Sequence, residues 1–365
     1  MKRPKTDRLE TGPRGFQDVH AETDPAIADV AGDHMTRADS RPMIRGTGGL
    51  STLLLILAAW GCAPPADRRP FTLVMLPDTQ NYSRFRPDLF FAQTRWIKAN
   101  VEKENIVFVT QVGDIVNDHA RDEYQWRSAV GAMAVLDGAV PWGVAIGNHD
   151  YDSIPKRKTG GADTFRRYFG PGRFAGRPWY AGASPNGLNS AQLFSGGGVD
   201  FLILHLEVDF PEPAVDWARG MIARYPTRAV ILSTHIYLKG REGVGRHPRL
   251  IYRPDGHSAE ELWHRFIRPC PRIFLVLCGH ESRTDEYRQV SINDAGRPVH
   301  EILADYQSRP RGGDGFLRLL RFDPVRREIL VRTYSPDLDR FEADESSAFT
   351  LPWIIPEACL ARTGT

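Results

Sequence analysis

Short apolar runs, each stopped by glycine or a polar residue, recur through residues 71–280, and stretches with helical spacing separate them. Phe71-Thr-Leu-Val-Met-Leu76 runs into Pro77-Asp78-Thr79-Gln80. Ile106-Val-Phe-Val-Thr110 runs into Gln111-Val112-Gly113-Asp114, and Val140-Pro-Trp-Gly-Val-Ala-Ile146 into Gly147-Asn148-His149-Asp150. Each reads as a buried strand entering a loop. Between them, Leu89, Phe90, Trp96, Ile97 and Val101 predict a helix over 88–104, and Tyr124, Trp126, Val130, Met133, Ala134 and Leu136 predict one over about 121–137. Strand, helix, strand, helix, strand makes these strands parallel. Residues 151–198, rich in Gly, Pro, Arg and aromatics, read as a long excursion over the rim of the site, with one short helix near 162–169.

The pattern then resumes. Asp200–Glu207 is a strand, Val215–Arg224 a helix, and Arg228–Thr234 a strand ending in His235. A second Gly/Arg-rich loop, 239–256, precedes a helix over His257–Ile267 and a strand over Arg272–Cys278 that ends in Gly279-His280. From 284 onward, apolar and polar positions alternate over 285–292, 299–306, 315–322 and 327–335, which suits an antiparallel half-sheet.

The N-terminal part has a different texture. Residues 1–42 are polar and aperiodic and read as a disordered extension. Arg41 and Arg45 precede the apolar run Leu50–Ala59, followed by Trp60-Gly61-Cys62, the layout of an export signal over 43–62. The run is about half the ~20 residues a membrane-spanning helix needs. Cys62 resembles the lipid-attachment site of bacterial lipoproteins. The true start is expected at Met35 or Met43. The expected organisation is therefore extension 1–42, signal 43–62, linker 63–70, domain 71–340 and tail 341–365. The expected location is outside the cytoplasmic membrane, periplasmic or anchored through a lipid on Cys62.

Composition excludes more than it selects. With 41% hydrophobic and 25% charged residues the chain is an ordinary globular protein. A net charge of +2 argues against a dedicated nucleic-acid binder. The four cysteines, Cys62, Cys270, Cys278 and Cys359, form no CxxC pair. Cys270 and Cys278 bracket an extended strand of roughly 26 Å and cannot bridge each other. Cys359 is left as an optional partner for Cys270.

The chemistry lies at the strand ends. Asp78 with Gln80, Asp114, Asn148, His235 and His280 each follow an apolar strand, at the edge where open α/β sheets bind ligands. A cap or a satisfied core residue explains any one of them; a series in chain order is a candidate ligand set. Carboxylate, amide oxygen and imidazole suit Mn, Fe or Zn.

Asp78-Thr-Gln80, Gly113-Asp114-Ile-Val-Asn117, Gly147-Asn148-His149-Asp150, Thr234-His235 and Gly279-His280-Glu281-Ser282 together resemble the motif series of the calcineurin-like metallophosphoesterases. Asp-Thr-Gln followed by Tyr82, with Asp305-Tyr306-Gln307, Gly312-Gly313-Asp314-Gly315 and Thr333-Tyr334-Ser335-Pro336, is similar to a bacterial subgroup of that family. The resemblance implies an α/β fold, a four-layer α-β-β-α sandwich of two mixed sheets with its metal site at the strand carboxyl ends. It implies two divalent ions about 3.5–4 Å apart, bridged by Asp114. Asn148, His235 and His280 complete one site, and Asp78 and Gln80, through its amide oxygen, hold the other. A metal-activated hydroxide then hydrolyses a phosphate monoester or diester of a small molecule or polymer, with His149 as general acid oriented by Asp150.

Two departures from the family pattern concern one site. Gln80 stands where the first motif has histidine, and Ser282 where the last motif has its second histidine, so one metal position is intact and the other weakened. They motivate a second reading: a non-catalytic metal- or phosphate-binding protein on the same fold. Arg283 is placed to replace part of the missing charge, although a solvated side chain is the simpler account. His205 reads as a core histidine; His119, His257 and His264 as solvated or capping. Arg84 and Arg86 are candidate phosphate contacts or plain surface, and Tyr82, Tyr306 and Gln307 line the cleft or pack.

Overall fold

The structure, a computed structural model, describes residues 68–118, 122–153, 161–240, 245–248, 252, 254–355 and 359. The extension, export signal, start site, Cys62 and His119 lie outside the described residues.

Two seven-stranded mixed sheets form the centre. In the first sheet β1 (Phe71–Leu76), β2 (Ile106–Gln111) and β3 (Trp142–Val144) are parallel. Between them run α1 (Gln80–Phe85), α2 (Pro87–Asn100) and α3 (Glu123–Ala134). α2 begins at a proline, whose missing N–H is an orphan at that position anyway; the Asp122 carboxylate accepts from Tyr124 N to cap α3. The rim excursion is more regular than its composition predicts. It holds α4 (Asp163–Phe169) and α5 (Pro171–Phe174), then β4 (Tyr180–Ala183) and β5 (Ser190–Gly196), two antiparallel strands at the edge of the second sheet.

That sheet continues through β6 (Val199–Leu206), β7 (Ala229–Thr234) and β8 (Ile273–Cys278), all parallel. α6 (Glu212–Arg224) and α7 (Ala259–Leu262), which runs on as a π-turn over Trp263–Ile267, cover it. The expectation of a purely antiparallel C-terminal half is corrected at β9 (Glu286–Ile292) and β10 (Pro298–Ala304). β9 is antiparallel to β10, but β10 lies parallel to β8, with Leu303 opposite Cys278. β11 (Leu317–Asp323), β12 (Glu328–Ser335), β13 (Arg340–Phe341) and β14 (Ala348–Pro352) are antiparallel and extend the first sheet. β14 falls in the stretch read as a tail and pairs with β12.

Alternation along β1 shows how the layers form. Val74 and Leu76 face the helices of the first sheet, whereas Phe71, Leu73 and Met75 pack against Phe201, Ile203, Ile231 and Leu275 of the second. Both faces of β1 are buried, which is why its sequence is an unbroken apolar run. Each such side chain contributes about 1.5–3 kcal/mol by leaving water. A third core lies between the second sheet and α6 and α7. The result is the α-β-β-α sandwich that the family resemblance implies. Among the described residues no helix is long and apolar enough to cross a membrane.

Candidate metal centre

The parallel strands of both sheets deliver their carboxyl ends to one place. Asp114 follows β2 and His235 follows β7, yet Asp114 Oδ1 and His235 Nε2 lie 3.2 Å apart and both side chains are buried. Asn148 Oδ1, after β3, is 3.0 Å from the same nitrogen. His280 Nδ1, after β8, is 3.3 Å from it. Ligand atoms of Asp114, His235 and His280 all fall within 4.8 Å of one another.

Glycine makes this convergence possible. A Cβ on Gly147 would stand 2.0 Å from Asp114 N and 2.2 Å from Asp114 Oδ1. Gly113, with φ +101, would bring a Cβ within 2.8 Å of Gly147 N and of the His235 ring. Asp114 (φ +52) and His280 (φ +77) hold left-handed backbone, an unfavourable state for non-glycine residues that clusters at functional sites. That turn aims the His280 N–H at both oxygens of Asp78, at 3.2 and 3.1 Å.

The hydrogen-bond roles in this cluster converge on one nitrogen. His235 Nδ1 is 3.0 Å from the Val112 carbonyl, which can only accept, so Nδ1 carries the ring proton. In the neutral ring Nε2 then presents a lone pair to the oxygens of Asp114 and Asn148 and to a second imidazole nitrogen. A proton on Nε2 points at one of these neighbours; a cation is shared by all. The charges couple the same residues. Burial opposes ionisation of Asp114, but His235, His149 and His280 outweigh it and hold the carboxyl well below its usual range. Burial opposes protonation of His235, and Asp114 overrides it to push the imidazole up. His280, desolvated and facing His235, is pushed down to about 3 and presents a neutral ring.

The first-strand residues form the other half. Asp78 is buried, and burial, then the negative charges of Asp305 and Asp114, hold its carboxyl well above the usual range. Gln80 Nε2 donates to Gln307 Oε1, and Gln307 Nε2 donates to Asp78 Oδ2 at 3.3 Å. Gln80 Oε1 is buried without a hydrogen-bond partner. An unpaired buried amide oxygen costs about 1–3 kcal/mol, a cost that a donor or a cation would remove.

His149 and Asp150 are rearranged relative to the sequence reading. The Asp150 carboxylate accepts from the backbone N–H groups of Ile115 (2.8 Å), Val116 (3.0 Å) and Gly147 (2.7 Å). It ties the two motif loops together, and burial, then the charge of Asp114, pushes its carboxyl up to about 6. His149 Nδ1 lies 2.6 Å from the Asn117 carbonyl, so that backbone atom sets the ring, while His149 N donates to Asp114 Oδ1 at 2.8 Å.

The remaining candidates are engaged elsewhere. His205 is a core histidine between Thr110 and Gln192, and its burial pushes the ring down to about 3. His257 and His264 pair with Glu212 and Glu260. Arg84 pairs with Asp118 and Arg86 with Asp88, and Arg283 is exposed. Tyr82 and Tyr306 are buried, bonded to Gly315 N and to Glu286. Cys270, Cys278 and Cys359 are free thiols. Sequence reasoning missed Asp305 as a neighbour of Asp78. Its signal was the Asp-Tyr-Gln motif, whose meaning depends on strand pairing.

Residues 71–306 match the calcineurin-like phosphoesterase family. The uncharacterized protein YvnB of Bacillus subtilis (strain 168) is 36% identical over 278 residues, 75% of this chain, and the chain spans about a fifth (20%) of that relative's length. A purple acid phosphatase from seeds of yellow lupin (Lupinus luteus) shares the fold, with a TM-score of 0.52 and 15% identity over 79% of this chain and 55% of that one. A dimetal phosphatase from Danio rerio aligns with a TM-score of 0.47 at 13% identity, covering 78% of this chain and 99% of the other.

Proposed function

Since the chain belongs to the calcineurin-like phosphoesterase family, we propose that it is a metal-dependent hydrolase of phosphate monoesters or diesters, working at the strand-end cluster. The observation that carries this reading is His235 Nε2, which faces Asp114 Oδ1, Asn148 Oδ1 and His280 Nδ1 within 3.0–3.3 Å while its other nitrogen is committed to a carbonyl. These four residues would hold one divalent ion, and Asp78 and Gln80 Oε1 a second, with Asp114 shared. Bound there, the ions lower the pKa of a coordinated water and offset charge on the phosphoryl oxygens.

The chain's own groups supply the rest. The Val112 carbonyl accepts from His235 Nδ1 and so fixes the tautomer and ring orientation that a metal-binding imidazole needs. Asp150 holds the loops of Asp114 and Asn148 in register. His149 is the general acid. Its Nδ1 is committed to the Asn117 carbonyl, so the proton given to the departing ester oxygen leaves from Nε2.

The substitutions at Gln80 and Ser282 support an unequal pair of sites; a non-catalytic binder would retain one ion and show no turnover. The near-neutral charge disfavours a nuclease. The pattern over 43–62 supports export, with a lipid on Cys62. Labelling of cells with radioactive palmitate tests this, since Cys62→Ala removes the label from a lipoprotein. For the activity, purified protein loaded with Mn is assayed on aryl phosphate mono- and diesters. Turnover on either class supports the proposal, and none on both, with the metal site filled, defeats it.

A further inference from the structure

This inference rests on the metal-dependent reading above and concerns its weaker half. We propose that Asp305 supplies a carboxylate to the second metal position, in place of the imidazoles that this chain replaces with Gln80 and Ser282, and that Gln307 positions it.

The placement follows from strand pairing. Because β10 is parallel to β8 with Leu303 opposite Cys278, Asp305 leaves its strand beside His280. It is a further ligand-type residue at the same edge, and it is fully buried. Its Oδ2 accepts from Gln307 Nε2 at 2.9 Å, the same nitrogen that reaches Asp78 Oδ2 at 3.3 Å. One amide therefore holds two carboxylates together. Among the described residues, no lysine or arginine forms an ion pair with Asp78 or Asp305.

The amides explain why a cation belongs there. Gln307 turns its NH2 toward Asp78 and Asp305, the orientation that both carboxylates require when ionised, as they would be around a cation. Its Oε1 then needs a donor and receives the NH2 of Gln80. Gln80 Oε1 is what remains: buried, and with no donor. Two carboxylates and a bare amide oxygen form an all-oxygen set suited to an ion such as Mn2+. A turn at 305–307 accounts only for Asp305 Oδ1, which accepts from Gln307 N at 3.0 Å; it does not account for the Gln80 oxygen.

The test strips the full chain of metal and titrates it with MnCl2, reading stoichiometry and affinity by calorimetry and elemental analysis. Asp305→Asn keeps the turn acceptor and the volume but removes the charge. Wild type is expected to bind two ions. The variant is expected to keep the tight site unchanged and to weaken the other by at least about 10–100-fold, while the metal-free variant melts no lower than wild type. Equal binding of both ions by variant and wild type overturns the assignment. A wild type that takes up one ion also overturns it, leaving the four-ligand site and the proposed hydrolysis standing; a wild type that takes up none overturns both. If Asp305→Asn does not fold, Asp305→Cys decides. Its thiolate adds an ultraviolet charge-transfer band with Cd2+ above any signal from the wild-type cysteines, and a folded Cys variant without that increment refutes the placement.

Discussion

Gly147→Ala isolates the role of close approach at this site. Gly147 has φ −93 and ψ 176, extended backbone open to any residue, so its identity is required only by space. The added methyl would lie 2.0 Å from Asp114 N and 2.2 Å from Asp114 Oδ1, where ordinary contact begins at 3.4 Å. Relieving the closer contact moves the two loop tips apart by about 1.4 Å. The obstructing atoms include backbone, so no side-chain rotation relieves it. Asp150, bonded to Gly147 N and to Ile115 N, resists the movement. A shift of about 1 Å in a reacting geometry costs about 100-fold, and overpacking costs about 1–3 kcal/mol of stability. The expected result is a loss of at least about 100-fold in kcat/KM on an aryl phosphate, with weaker Mn binding and a lower melting temperature. Gly220→Ala is the control: it lies in α6 with nothing within 4 Å of the added atom. It should gain about 0.5–1 kcal/mol with activity unchanged. Wild-type turnover and metal affinity in Gly147→Ala would refute the steric argument.

Other perturbations give distinct signatures. His149→Ala should lower kcat by about 10²–10⁴-fold, more for alkyl than for nitrophenyl leaving groups, with Mn content unchanged; equal losses on both substrates would remove His149 from the acid role. Arg318 is fully buried against Glu286. Arg318→Met leaves that carboxylate with only the more distant Arg309, 3.7 Å away, and should cost up to about 3–5 kcal/mol in urea unfolding, with much of the loss recovered in the double variant Glu286→Gln/Arg318→Met. Burial opposes ionisation of Glu286, but Arg318 and hydrogen bonds from Ser347, Tyr306 and Thr333 outweigh it and hold the carboxyl down to about 2 from 4.5. A carboxyl depressed on folding stabilises fully above its unfolded value and loses that contribution as pH falls through the folded one. Acid unfolding should therefore steepen between pH 4.5 and about 2, and Glu286→Gln should flatten that window.

The candidate-ligand tips were legible because each strand is buried on both faces and so reads as an apolar run that stops shortly before Asp78, Asp114, Asn148, His235 or His280. β10 was harder. His300 and Glu301 interrupt it and look like solvent positions, yet both are buried, His300 against the Pro352 carbonyl and Glu301 against Arg246. That disguise made the segment look antiparallel and hid Asp305. The Asp150 carboxylate and His149 Nδ1 are bonded to backbone atoms, which leave no trace in side-chain identity. β4 and β5 were concealed by glycines and by partial exposure, and β14 by its distance from the motifs.

The central claim is that Asp114, Asn148, His235 and His280 enclose one divalent cation. Crystals grown with Mn2+ and measured at the Mn absorption edge test it directly. The account predicts an anomalous peak in coordination contact with an Asp114 carboxylate oxygen, Asn148 Oδ1, His235 Nε2 and His280 Nδ1. Ordered crystals with no peak among these four residues would contradict it.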